Sequence, residues 1–327
     1  MLRNNDPRLT VMDDCEVLNN ASATLLGETL QDNTHLSKLN LRICGSTSEE
    51  GLRAILTGMS YSQVSTLLVY HNKDCHFTQE LFRGLHNVSS LRHLYCAKVG
   101  DGESRAPQLS TEVLCKTFVC LEFVSLIGAT SSTLLHGLGL ALAQNTTVKA
   151  LKLSHMDLRQ QNMQALWTNA LCLNNIISSL KLEDCQINDA SVSLFCLSWS
   201  TESHIQHLKL PKNLLRPSAV LHLMSHVQEN LPLMQSINLN GNIHIDYGGF
   251  IKIFSNLSCH HIKKICLRDC TRERVYTNHI VVGNMVRPQD HMIHPTLTVR
   301  TDTSGSRTTY DVYHRTKENA NRATWHQ

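Results

Sequence analysis

Cys259, His260 and His261, followed by Cys266 and Cys270, form the densest group of metal-ligand residue types in the chain. Zinc would need four such side chains converging on a tetrahedron. A repeating pattern described below already accounts for Cys270 and turns Cys266 away from its neighbours Ile265 and Leu267, so no metal site is expected there. The 19 histidines are scattered through the chain, and a solvated or satisfied role is expected for each. No P-loop, dinucleotide fingerprint, nucleophile elbow or H-E-x-x-H occurs, and each of those chemistries depends on its residues at fixed spacing. The expectation is a protein with no catalytic residues, no metal and no cofactor.

The cysteines taken together support that reading. Twelve are spread over 327 residues, and the opening Met1–Pro7 segment lacks the apolar stretch of a secretion signal. Reduced, mostly buried thiols in an intracellular protein are expected, cytoplasmic with the nucleus as the alternative. The N-x-S/T acceptors at Asn20, Asn87, Asn145 and Asn256 are then chance matches. No run reaches the roughly 18 apolar residues of a membrane span. Hydrophobic residues make up 42% of the chain, enough for a packed core. Lys and Arg number 30 against 27 Asp and Glu, a net charge of +3 that disfavours a dedicated nucleic-acid binder.

What positions these residues is a repeat of about 28 residues. Leu36, Leu39, Leu41 and Cys44 stand at the first, fourth, sixth and ninth places of a frame that returns eight times, beginning at Val64, Leu91, Leu121, Val148, Ile177, Ile205, Met234 and Ile262. The steps are 28, 27, 30, 27, 29, 28, 29 and 28 residues. Alternation over places four to six marks a short strand with one buried face. Patterns such as Leu52/Ile55/Leu56/Met59, Leu134/Leu135/Leu138/Leu142 and Val220/Leu221/Met224/Val227 mark helices between the strands. Strand, helix, strand at this period demands a parallel sheet with right-handed crossovers. Strands stack at about 4.8 Å and helices at about 10 Å, so the stack curves with the sheet inside.

The frame L-x-x-L-x-L-x-x-N/C resembles the leucine-rich repeat, and its length resembles the ribonuclease-inhibitor-like subclass. The resemblance implies an α/β solenoid of about nine to eleven repeats, a horseshoe with a parallel inner sheet and outer helices. It also implies that the ninth-place Asn or Cys bonds the backbone turning between repeats. Cys44, Asn72, Cys185, Asn213, Asn242 and Cys270 fit that place, whereas Val99, Ala129 and Met156 depart from it, leaving repeats three to five short of part of the ladder.

The expected organisation is a capping repeat over 1–35, the solenoid over 36–300 and a polar tail over 301–327. Leu9–Val11 is expected as an incomplete first strand, Ala21–Leu30 as a helix, Arg274–Val286 as a last crossover helix and Leu297–Val299 as a terminal strand. A hairpin about Ser304-Gly305 is the competing reading of the tail. Gly100–Pro107 inserts into one strand-to-helix loop.

Places three, five, seven and eight project from the concave face, where function is expected. Place five reads Asn40, Leu68, Tyr95, Ser125, Lys152, Lys181, Lys209, Asn238, Cys266. Leu68, Tyr70, Tyr95, Phe123 and Ile127 form an apolar, aromatic stretch with the composition of an interface core. Lys152, Lys181 and Lys209 form a row of like charge that favours an anionic partner. Over the four places nine basic residues face three acidic ones, an excess of six.

The expected function is a non-enzymatic scaffold binding another protein, one bearing an acidic patch, on this face. Oligomeric state is left open. The alternative is a regulator of a small GTPase, since activators of the Ran type resemble this repeat class. Those carry an acidic C-terminal tail, whereas residues 271–327 hold eight Lys and Arg against five Asp and Glu. A ribonuclease inhibitor would need an acidic concave face, and nucleic acid would need stacking aromatics between the lysines.

Overall fold

The computed structural model describes residues 5–71, 75–97, 110–128, 132–159, 174–199 and 203–245. It also describes the isolated positions 162, 164, 166–167, 249, 262, 264–267 and 270, and the backbone of 295–301 and 308–314. The chain alternates strand and helix: β1 (Val11–Asn19), α1 (Asn20–Gln31), β2 (Lys38–Ser46), α2 (Glu49–Tyr61), β3 (Thr66–His71), α3 (Cys75–Leu85), β4 (His93–Ala97), α4 (Thr111–Phe118) and β5 (Phe123–Ile127). There follow α5 (Ser132–Gln144), β6 (Ala150–Ser154), β7 (Ser179–Glu183), α6 (Asp189–Ser198), β8 (His207–Lys209), α7 (Pro217–Asn230), β9 (Ser236–Asn238), β10 (Lys264–Cys266), β11 (Pro295–Thr301) and β12 (Thr308–His314).

β1 to β10 lie side by side in sequence order in one parallel sheet. Place four aligns Leu39, Leu67, Leu94, Val124, Leu151 and Leu180 through to Ile265 in a single register. Every fourth- and sixth-place residue of the nine repeats is at most 2% exposed. The helices close the other side of this layer. Leu52, Ile55, Leu56 and Met59 are buried on α2, Leu134, Leu135, Leu138 and Leu142 on α5, and Val220, Met224 and Val227 on α7. Each such side chain contributes about 1.5–3 kcal/mol by leaving water, and in a solenoid that burial is shared only with the neighbouring repeats. The fold is a leucine-rich-repeat α/β solenoid.

Helix starts are capped where the frame requires a turn. Asn19, Ser48, Ser110 and Asn188 each accept a backbone N–H of the first turn through their side chains, which satisfies donors a helix leaves open. α1 and α2 approach backbone to backbone. A Cβ on Gly58 would meet the carbonyl of Gly27, and one on Gly27 would meet that of Ala54, so the cap is packed through glycine.

The ends differ from expectation. The first strand is Val11–Asn19, not Leu9–Val11, and Thr10 instead lends its carbonyl to the N–H groups of Ser37 and Lys38. Met12 and Cys15 stand opposite Leu39 and Leu41, so a bulge over Asp13 and Asp14, the latter at φ 53°, supplies an extra residue that the strict frame does not contain. Leu297–Val299 lies within β11, but that strand is not the parallel neighbour of β10. β12 intervenes, antiparallel to both, so the hairpin is present at the level of the backbone. Arg274–Val286, the Gly100–Pro107 insertion, Asn256 and Cys259–His261 lie outside the described residues.

Candidate functional site: the open face of the sheet

The ninth-place ladder fixes how the open face is presented. Asn213 donates through Nδ2 to the carbonyls of Leu182 (2.9 Å) and Pro211 (3.1 Å) and accepts at Oδ1 from the N–H of Cys185 (2.9 Å) and Ile187 (3.2 Å). Asn242 repeats this toward Leu210 and Leu239 and accepts from Leu215. Cys185 donates its thiol to Leu153 (3.5 Å) and Glu183 (3.3 Å), and Cys270 to Leu239 (3.1 Å). Cys44 differs: its thiol reaches the Glu16 carboxylate at 3.5 Å. Met156 is buried and apolar, while Asn72, Val99 and Ala129 lie outside the described residues.

Sequence reasoning missed a second ladder, three residues before place one. Asn33, Asn145 and Asn174 each accept from two backbone N–H groups ahead of the coming strand. Asn145 and Asn174 also donate back to the ends of the preceding turns. The spacing Asn-x-x-Leu, Asn-x-x-Val and Asn-x-x-Ile was the available signal. Asn145 is thereby a structural residue, which accounts for that glycosylation-like motif.

Every residue of the place-five row takes the register expected of it: Asn40, Leu68, Tyr95, Ser125, Lys152, Lys181, Lys209, Asn238 and Cys266 are successive partners across the sheet. At the aromatic end, Tyr95 and Phe123 pack at 4.7 Å between ring centroids, and His93 meets Phe123 edge-on at 6.3 Å. Leu68 adjoins Tyr95, and Tyr70, Ala97 and Ile127 align at place seven. Leu68, Phe123 and Ile127 are half-buried, while Tyr70 and Tyr95 keep 44% and 36% of their surface in water. These are large apolar surfaces on a side of the sheet that no other described element covers.

At the basic end a single carboxylate gathers the lysines. Glu183, at place seven of β7, pairs with Lys181 at 2.7 Å, Lys212 at 3.4 Å and Lys152 at 3.7 Å. Burial pushes its carboxyl up, and the hydrogen bond and charge of Lys181, with Lys212 and Lys152, more than offset this, leaving it below the usual glutamate range. Lys209 makes no ion pair among the described residues and is half-buried in line with Lys181. Beside the cluster Asp184 pairs with His155 at 2.9 Å. Four lysines against Glu183 and Asp184 leave two positive charges in excess.

Two more of the basic residues on the face are met within the chain. Lys38 pairs with Asp13 at 3.1 Å and Arg42 with Asp14 at 3.5 Å. Those aspartates sit on the bulge of β1, outside the repeat frame, so counting places could not include them. Lys98, Arg268 and Asp269 lie outside the described residues. The described ion pairs leave unmatched positive charge over β6 to β8.

After β5 to β9 place eight lies in the left-handed region: Gly128 (85°), His155 (54°), Asp184 (52°), Lys212 (56°) and Gly241 (73°). Four of their N–H groups donate to the next repeat, from Gly128 to Ser154 and from His155, Asp184 and Lys212 to Glu183, Pro211 and Asn240. Glycine is the inexpensive residue in that conformation. The three non-glycine cases all rim the lysine cluster.

Among the described residues no group of three His, Cys, Asp or Glu side chains could hold a metal, and no helix is long and apolar enough to cross a membrane. No disulfide occurs among them; Cys96, Cys185, Cys196, Cys266 and Cys270 are buried, and Cys15, Cys44, Cys115 and Cys120 are half-buried.

No family model and no curated protein matches the sequence. Solved structures do. The chain is similar to the leucine-rich repeat-containing protein LegL7 from Legionella pneumophila, at 18% identity and a TM-score of 0.48 over 78% of this chain and 83% of that one. It is also similar to a chain of the yeast Rad7 and Elc1 complex, at 14% identity and a TM-score of 0.32 over 76% of each. The repeat solenoid described above rests on this chain's own frame and strand pairing.

Proposed function

We propose that this protein is a non-enzymatic scaffold that binds another protein on the open face of its sheet. The observation that carries the reading is the row Leu68–Tyr95–Ser125–Lys152–Lys181–Lys209, held in one register with exposed tyrosines at one end and excess positive charge at the other. Leu68, Tyr70, Tyr95, Phe123 and Ile127 would supply the desolvated anchor. Aromatic side chains lose little conformational freedom on docking and dominate interface energetics. Lys152, Lys181 and Lys209 would raise the association rate for an acidic partner and select against basic ones.

The test is cross-linking in the native cell followed by binding of the recovered partner in purified form. Leu68→Asp, Tyr95→Asp and Phe123→Asp together should abolish that binding while leaving the circular dichroism spectrum unchanged. Undiminished affinity of the triple variant removes this face as the site. No observation among the described residues favours the GTPase-regulator alternative.

A further inference from the structure

We infer that the occupant of the open face is an amphipathic helix of the partner, lying across the strands, with apolar residues over Leu68 and Tyr95 and carboxylates over Lys152, Lys181 and Lys209. The inference rests on the proposed scaffold function and adds the shape and the charge order of the ligand. Three observations lead to it.

The first is spacing. Leu68 to Lys209 spans five strand-to-strand steps, about 24 Å at about 4.8 Å each. A helix advances about 5.4 Å per turn, so it presents nearly one side chain per strand, and about 16 residues cover the row. Same-face side chains of an extended chain recur at about 6.7 Å and fall out of step with the row after the first strand. The second is hydrogen bonding. The row lies on a sheet face whose backbone is already paired strand to strand, so a crossing extended segment would find no ladder to join. A helix brings its own backbone bonds.

The third is the order of chemistry along the row. The apolar end, the small and buried Ser125 in the middle, and the lysines at the far end follow one another without interruption. Glu183 holds Lys152, Lys181 and Lys212 in place, yet two positive charges remain in excess, and Lys209 has no ion pair among the described residues. At this end the left-handed place is filled by His155, Asp184 and Lys212, where glycine would be cheaper, whereas Gly128 and Gly241 fill it in the flanking repeats. A ligand with carboxylates on two or three successive turns matches the excess.

The experiment uses the full chain and three fluorescent peptides of about 19 residues, designed on helical periodicity. The first carries Leu and Phe one turn apart and Glu on the same face over the last three turns. The second has the same composition with the Glu residues moved to the opposite face. The third is the first with a central Pro, which breaks the helix. Anisotropy should show the first binding roughly tenfold more tightly than either of the others, and Lys181→Glu with Lys209→Glu should erase that preference. Equal affinities for the first and third peptides, or no binding of any peptide at about 1 mM, overturn the helix. Lys212→Gly should keep the fold, because it relieves the left-handed backbone, and should weaken the first peptide alone. If Leu68→Asp, Tyr95→Asp and Phe123→Asp abolish binding of the native partner while the peptides are not distinguished, the scaffold reading stands and the helix falls.

Discussion

Replacing Asn213 by Ala tests whether the ninth-place ladder holds the basic end of the face. Asn213 is 2% exposed, and its amide makes four hydrogen bonds, two to carbonyls at 2.9 and 3.1 Å and two from N–H groups at 2.9 and 3.2 Å. Its removal leaves the Cys185 and Ile187 N–H groups without this acceptor and takes one donor from each of the two carbonyls, of which Pro211 keeps the N–H of Asp184. At about 1 kcal/mol net per bond the loss is about 4 kcal/mol, less whatever a water entering the space restores, so about 3 kcal/mol is expected. That is a large fraction of an ordinary domain's stability. Asn213→Cys should cost less, because the thiol of Cys185 shows that sulfur can serve the carbonyl half of the role. Urea denaturation followed by circular dichroism gives the total. Hydrogen exchange locates it: amides of Cys185 and Ile187 should lose protection, while those of Leu67 and Val69 in β3 should keep theirs, since repeats couple only to neighbours. A loss below about 1 kcal/mol with Cys185 and Ile187 still protected would refute the ladder argument.

Two further outcomes are expected. Glu183 has a depressed carboxyl pKa in the fold, so its stabilisation is present above the ordinary glutamate range near pH 4.3 and is lost as pH falls through its folded value. Glu183→Gln should flatten the acid limb of a stability-versus-pH curve, and an unchanged limb would mean the lysines do not depend on it. Burial pushes the thiols of Cys96, Cys185 and Cys196 up to about 12, so an alkylating agent at pH 8 should label them only on unfolding, after Cys120; mass spectrometry of native and denatured protein decides this.

Much of the fold is legible in the residues because a repeat multiplies a weak local signal nine times. Leu39, Leu41 and their equivalents recur at a fixed phase, so strand, helix and the register of Lys152, Lys181 and Lys209 follow from counting. The ends are less legible for the same reason. Asp13 and Asp14 sit in a bulge that breaks the count, and β12 pairs antiparallel to β10, a pairing between segments far apart in the chain that no periodicity encodes.

The sequence by itself determined the architecture, the row along place five and its two chemistries, because both depend on local periodicity. Only the tertiary structure decided the charge. Lys38 and Arg42 are neutralised by a bulge in another strand, and Glu183 gathers three lysines from three loops or strands, which are distances in space and not in sequence. Of the excess of six counted over the face, two charges are met on the β1 bulge, two are focused over β6 to β8, and two belong to Lys98, Lys264, Arg268 and Asp269. Electrostatic energy depends on separation and burial, and neither is written in the order of residues.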